Sequence, residues 1–275
     1  MSRQIDRVPT PAHVKPKKLI VLSAPRTGTH GLYKAMKVLG FTPYHMAEVL
    51  KIGTPAVNIM NDGLSAEMLH NGKPYTRAEF DKWFADYDVI IEMPFFMLHS
   101  IIKAYPDAKF LLTERNPEKW VKSFVNTIGK LSVELGSFPM SLFRLFDGFI
   151  DGMGYMGSNM LNYYSNGYGL TPTGQKYLAE NYMNYIAEVK RIVPPEQLLV
   201  CKLEDGFGWD EICPYLGVPI PDTEWPSLNK PEEFHEIAGP KVQRAFMKGL
   251  VGMTSIVVPV AAVGLWYLRK GRLAV

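Results

Sequence analysis

Four short stretches carry continuous apolar residues with no polar alternation: KLIVLS (18–23), DVIIE (88–92), AKFLLTE (108–114) and LLVCKLE (198–204). Unbroken runs of this length are the signature of parallel strands buried on both faces, because helices cover each side of such a sheet. Each run leads into a helical pattern. After the first, Leu32, Met36 and Leu39 recur at three- to four-residue spacing, one face of an amphipathic helix. The expected architecture is therefore an α/β fold of three layers, a central parallel sheet flanked by helices, over residues 17–240. No internal repeat is visible. Residues 129–175, rich in Gly, Met, Phe and Tyr, interrupt the strand–helix rhythm and read either as a helical lid over an apolar ligand or as a Met-rich packing segment.

The two ends depart from this pattern. Residues 1–16 hold three prolines and several basic residues around few apolar ones, which predicts a flexible leader and not a secretory signal. At the other end, 249–268 is a run of 20 residues without a charge, bounded by Lys248 and by Arg269, Lys270 and Arg272. At the helical rise it spans roughly 30 Å, the thickness of a bilayer core, with Trp266 and Tyr267 placed for an interfacial belt. A single C-terminal membrane-spanning helix is expected, with Pro259 no obstacle. Basic residues at both ends leave the orientation undecided by charge.

Composition adds limits. Of 275 residues, 47% are hydrophobic, enough for a full core, and 30 basic against 27 acidic residues leave a net charge of +3, no basis for a nucleic-acid groove. Cys201 and Cys213 have no metal-like spacing and read as buried free thiols in a reducing compartment, with the domain on the cytosolic side.

Two segments carry chemistry. Between the first strand and its helix lies Pro25-Arg26-Thr27-Gly28-Thr29-His30, a turn that gathers backbone N–H groups at a helix N-terminus and favours an anion. Arg26 supplies a planar, charged fork, and Thr27 and Thr29 supply hydroxyl donors. The turn lacks the Gly-Lys-Ser/Thr that would reach a triphosphate and its magnesium, so a metal-free anion is expected. The second segment is TERNPEKWVKSF: Asn116, Pro117 and Glu118 predict a helix start, which puts Arg115 at the carboxyl end of a strand and Ser123 two turns along the helix.

Together, PRTGTHGL and RNPEKWVKS, in this order, resemble the P-loop sulfotransferases, and the resemblance runs over about residues 17–235. That family uses such a loop for the 5′-phosphosulfate of 3′-phosphoadenylyl sulfate (PAPS), and an Arg-Asn-Pro followed by Ser at this spacing for the 3′-phosphate. YHMAEV (44–49) and WDEICPYLGVP (209–219) are similar to a branch common in fungi. The resemblance implies that Arg26, Thr27, Gly28, Thr29, His30, Arg115 and Ser123 bind PAPS and release PAP, without a metal. It also implies transfer to a hydroxyl or amine of a small acceptor, here apolar to judge from 129–175 and the membrane helix. The family's adenine-stacking aromatic is Gly31 here, and its C-terminal basic segment is missing, with Lys230 the substitute considered. Two other readings stay open: a relative that binds nucleotide without transferring sulfate, and a nucleotide kinase.

A general base must accept the acceptor's proton. Glu92, at the end of DVIIE and before Met93-Pro94, is the chosen residue, since it faces the same sheet edge as Arg26 and Arg115. The cytosolic sulfotransferases have His-Leu-Pro at this place, and several carbohydrate sulfotransferases use a glutamate. Their lysine two residues earlier is Ile90 here. For Glu92 to serve, apolar surroundings are expected to raise its pKa toward the working pH. His45 is the alternative, a contact on the acceptor side, and Arg26 stabilises charge on the leaving phosphate. Among the other histidines, His13 and His235 read as peripheral, His70 as part of a polar turn, and His99 as packed on a helix.

Overall fold

A parallel sheet forms where the apolar runs predict it, but its edge strand at 198–202 is a correction to the expected burial on both faces: only Cys201 is buried there, since the edge has a neighbour on one side alone. The computed structural model describes residues 3–226 and 231–272, with side chains described at 3–226 and 239–269. The strands are β1 (Leu19–Val21), β2 (Pro43–Tyr44), β3 (Val89–Ile91), β4 (Phe110–Glu114) and β5 (Leu198–Lys202). They lie in the order β2-β3-β1-β4-β5, all parallel, with Ile20 in register with Ile90 on one side and Phe110 on the other. β2 is the strand that the pattern misses: two residues are too few to show a period. The helices are α1 (Thr29–Val38), α2 (Met46–Ile52), α3 (Thr54–Met68), α4 (Arg77–Trp83), α5 (Met93–Phe96), α6 (Leu98–Ala104), α7 (Pro117–Phe124), α8 (Lys130–Gly136), α9 (Met140–Phe143), α10 (Gly148–Tyr164), α11 (Pro172–Ile192), α12 (Trp209–Leu216) and α13 (Pro231–Arg272).

Alternate strand residues feed two cores, as the pleat requires. Leu19, Val21, Val89, Ile91 and Leu111 pack with α1 and α12, while Ile20, Leu22, Ile90, Phe110 and Leu112 pack with α3 to α7, α10 and α11. Three layers result. Both cysteines are buried and unpaired, Cys201 in β5 and Cys213 in α12. Most of 129–175 is helical, and Phe149, Ile150, Met153, Met156 and Met160 of α10 are buried in the larger core. For α10 this is the packing reading.

The expected flexible leader is a correction. Ile5 is fully buried against the larger core, the Arg3 guanidinium pairs with Glu79, and the Lys15 N–H donates to the Ala85 carbonyl at 2.8 Å. One isoleucine and one arginine give no period to read, but each finds a partner far along the chain. α13 also begins earlier than the apolar run at 249. Its stretch Gly239–Arg269 is long and apolar enough to cross a membrane, and its most apolar part is almost wholly exposed; Ala245 and the following turns nonetheless rest on the domain.

Candidate functional site

Every strand delivers a residue to one edge of the sheet. His45 follows β2, Glu92 follows β3, the turn 22–28 follows β1, Arg115 follows β4 and Leu203 follows β5. From β1 the chain runs toward one side of the sheet, and after β3 it crosses to the other, so the crevice opens at the carboxyl end of β1, where open α/β sheets bind ligands.

The turn is fixed from beneath. The buried Thr27 hydroxyl donates to the Ala24 carbonyl at 2.6 Å and lies 2.9 Å from the Thr113 hydroxyl. Ser23 Oγ accepts the Thr113 N–H at 2.7 Å, and the Tyr185 hydroxyl donates to the Leu22 carbonyl at 2.6 Å. From α7, whose N-cap Asn116 accepts the Lys119 N–H, Trp120 Nε1 donates to the Pro25 carbonyl at 2.9 Å. Tyr182 of α11 stacks on Trp120 and accepts the Arg115 N–H at 2.9 Å. These supports are absent from the sequence reading, because a tryptophan or tyrosine on an amphipathic face looks like ordinary core.

The cavity above the turn has a volume of about 190 Å³ and is lined by Arg26, Gly28, Thr29, His30, His45, Glu92, Arg115, Ser123 and Leu203. Thr27 is the exception among the residues expected there: its hydroxyl is used inside the fold. Leu203 is the lining residue that was missed, although its place at the end of an apolar run was a usable signal. Arg26 and Arg115 meet directly: Arg115 Nη1 donates to the Arg26 carbonyl at 2.8 Å, and Arg26 Nε donates to Ser123 Oγ at 3.3 Å. Residues that the resemblance assigns to two ends of a nucleotide thus share one small space. Arg115 Nε is buried with no hydrogen-bond partner among the described residues. The first turn of α1 adds N–H groups that its own helix cannot satisfy.

Glu92 sits on the wall of this cavity. One carboxylate oxygen accepts the Thr29 hydroxyl, and the other lies 3.2 Å from His45 Nε2. His45 Nδ1 accepts the Ala47 N–H at 3.1 Å, so the proton of the neutral ring is assigned to Nε2, facing the carboxylate. Burial pushes the Glu92 pKa up, but His45, the Thr29 hydroxyl and Arg26 outweigh it, and the net shift is downward. The expected upward shift is therefore corrected, because the carboxylate is buried among donors and not in an apolar pocket. Burial likewise lowers the Arg26 pKa, with Glu92 acting against the shift and Arg115 with it. Two guanidiniums against one carboxylate leave the cavity suited to an anion.

Arg26 and Glu92 also share an unusual backbone, with φ of 71° and 68°. Left-handed conformations at non-glycine residues cost about 1–3 kcal/mol each and persist where surrounding contacts hold them. Here those contacts aim both side chains into one cavity.

Among the remaining candidates, His99 is a correction: its ring is exposed between Glu67 and Glu188, 3.0 Å from the latter. Lys230 and the side chain of His235 lie outside the described residues. A larger cavity of about 500 Å³, bordered by Gln4, Asn61, Asp62 and Tyr155, lacks the convergent cations of the smaller one. The smaller cavity is the one whose charge suits an anion.

The sequence profile of the sulfotransferase domain matches residues 18–234. The chain is 28% identical over 269 residues to Ava biosynthesis cluster protein M of Aspergillus versicolor, covering 92% of this chain and 97% of that protein. Among solved structures, it is similar to a sulfotransferase from Alicyclobacillus acidocaldarius, with 17% identity, a TM-score of 0.44, and coverage of 84% of this chain and 95% of the other.

Proposed function

Because the chain belongs to the sulfotransferase domain family, we propose that it transfers a sulfuryl group from PAPS to a hydroxyl or amine of a small acceptor. The supporting observation is the convergence of Arg26, Arg115 and the N-terminus of α1 on one cavity that also holds Glu92. The residues present fit the donor's anionic groups: Arg115 Nε is a buried N–H without an acceptor among the described residues, and a phosphate oxygen is the acceptor that a guanidinium best matches. At about 190 Å³ the cavity takes the anionic end of a nucleotide and not the whole of it.

Bound there, PAPS supplies an electrophilic sulfuryl group and a phosphate leaving group, with PAP as product. Arg26 and the first N–H groups of α1 bind phosphate oxygens and offset the charge that grows on the leaving oxygen. Arg115 and Ser123 hold the second phosphate. Glu92, ionised at neutral pH and oriented by Thr29 and His45, accepts the proton of the acceptor's hydroxyl at a carboxylate oxygen. α13 serves as a single-pass membrane anchor, with the site on the cytosolic side and an apolar acceptor drawn from that setting.

Titration calorimetry of the purified protein with PAPS, PAP, ADP and ATP, with and without magnesium, tests the reading. PAP is expected to bind without magnesium and more tightly than ADP, and Arg115→Ala is expected to weaken it by about 1.5–3 kcal/mol, roughly 10- to 100-fold. Tighter binding of magnesium–ATP, with PAP indifferent to Arg115→Ala, would replace it with the kinase reading. PAP binding without sulfate transfer to any of a panel of phenols, alcohols and amines would favour a nucleotide-binding relative.

A further inference from the structure

The segment just before α10 is unusual for its exposed apolar side chains. Phe138 is 81% exposed, Leu145 67% and Leu142 39%, within nine residues that also include α9. Its two other aromatics turn the opposite way, onto α13. A Cβ built on Gly249 would lie 2.3 Å from Phe143 Cβ, and one built on Gly252 would lie 2.3 Å from Phe146 Cδ1. The rings therefore press on the bare helix backbone at these two positions, which no larger residue would allow. Phe246 adds an edge-to-face contact with Phe143, and Lys248 Nζ binds Asp147 at 2.9 Å.

This docking sets a depth. The uncharged run of α13 is 249–268, 20 residues, about the length that crosses the hydrocarbon core. Its first turn is the turn that Phe143 and Phe146 hold. Beyond Gly252 the described residues of the helix project from the domain, with Ile256, Val260 and Val263 exposed on successive turns. If all of 249–268 is in the bilayer, the 138–146 segment is level with the boundary between headgroups and acyl chains. Lys241, Arg244 and Lys248 lie on the domain side of that level, where anionic headgroups attract cations.

We propose that residues 138–146 form a second membrane contact, in which Phe138, Leu142 and Leu145 enter the lipid interface beside α13. The inference rests on the reading of α13 as a membrane anchor. A single helix leaves the domain free to swing and rotate about it. A wedge fixed to its first turn holds the domain in one orientation on the surface.

The test uses the full chain in phosphatidylcholine vesicles, with a nitrobenzoxadiazole label at Leu145→Cys, Val263→Cys or, as an exposed reference on α11, Lys176→Cys. The buried Cys201 and Cys213 stay unlabelled in the folded protein. A lipid carrying a spin-label quencher on its acyl chain is expected to dim the labels at 145 and 263 severalfold and leave the label at 176 unchanged, while aqueous iodide does the reverse. Quenching at 263 with the label at 145 behaving like that at 176 overturns the wedge and leaves the anchor standing. Quenching at neither position overturns the anchor and the wedge with it.

Discussion

Glu92 combines a left-handed backbone, one carboxylate oxygen hydrogen-bonded by Thr29 with the other 3.2 Å from His45 Nε2, and a place on the cavity wall. Glu92→Gln keeps the shape and removes the proton acceptor, so turnover is expected to fall by about 10²- to 10⁴-fold with PAP affinity little changed. Loss of PAP binding or of folding in this variant would give Glu92 a structural role, and unchanged turnover would move the base to His45. The downward pKa shift makes a further prediction. A carboxylate whose folded pKa is depressed contributes stability that is present above its unfolded pKa and lost as pH falls through the folded value. Glu92 should therefore stay ionised throughout the neutral range, and kcat/KM should show no acid limb there, only one below the usual carboxylate range. A limb between about pH 6 and 7 that disappears in Glu92→Gln would show that the carboxylate is a raised-pKa base after all.

At the scale of elements, the site depends on how α7 and α11 hold the turn after β1. Trp120→Phe preserves the ring stack on Tyr182 and deletes the donor to the Pro25 carbonyl. Leaving that buried carbonyl unpaired should cost about 1–3 kcal/mol, read as a lower urea midpoint at unchanged slope. PAP affinity should fall as well, although Trp120 does not line the cavity. An unchanged midpoint and affinity would mean that the turn holds its shape without α7. This coupling was not legible in RNPEKWVKS. The helix start was, since Asn116 and Pro117 are local signals, and α7 does begin at Pro117. The partner of Trp120 lies 95 residues away, and no local pattern encodes it.

For the whole molecule, the contacts at Gly249 and Gly252 divide α13 into a docked part and a projecting part. Truncation after Met253 should move the protein from the membrane fraction to the soluble one with cooperative unfolding kept, because the described side chains it removes, 254–269, are exposed. Truncation after Lys248 should also release it, but with a lower melting temperature, since Phe143 and Phe146 lose the turn at Gly249 and Gly252 that they press on. Membrane association that survives removal of everything after Met253 would mean that the projecting helix is not the main anchor.

Determined by sequence alone were the features that short-range physics writes into a chain. Unbroken apolar runs specified four parallel strands, of which β5 at the sheet edge is only partly buried, the Pro-Arg-Thr-Gly-Thr turn before an amphipathic face specified a strand-to-helix turn, and 20 uncharged residues marked an apolar helix. The tertiary structure alone decided what depends on distant partners. Ile5 and Arg3 turned an expected flexible leader into a packed one, the Thr27 hydroxyl went to Thr113 instead of the cavity, and Arg26 and His45 set the sign of the Glu92 shift. The reason is common to all three. Periodicity and spacing report which way a side chain faces within its own element, whereas its charge state and hydrogen bonds depend on which other elements the fold brings against it.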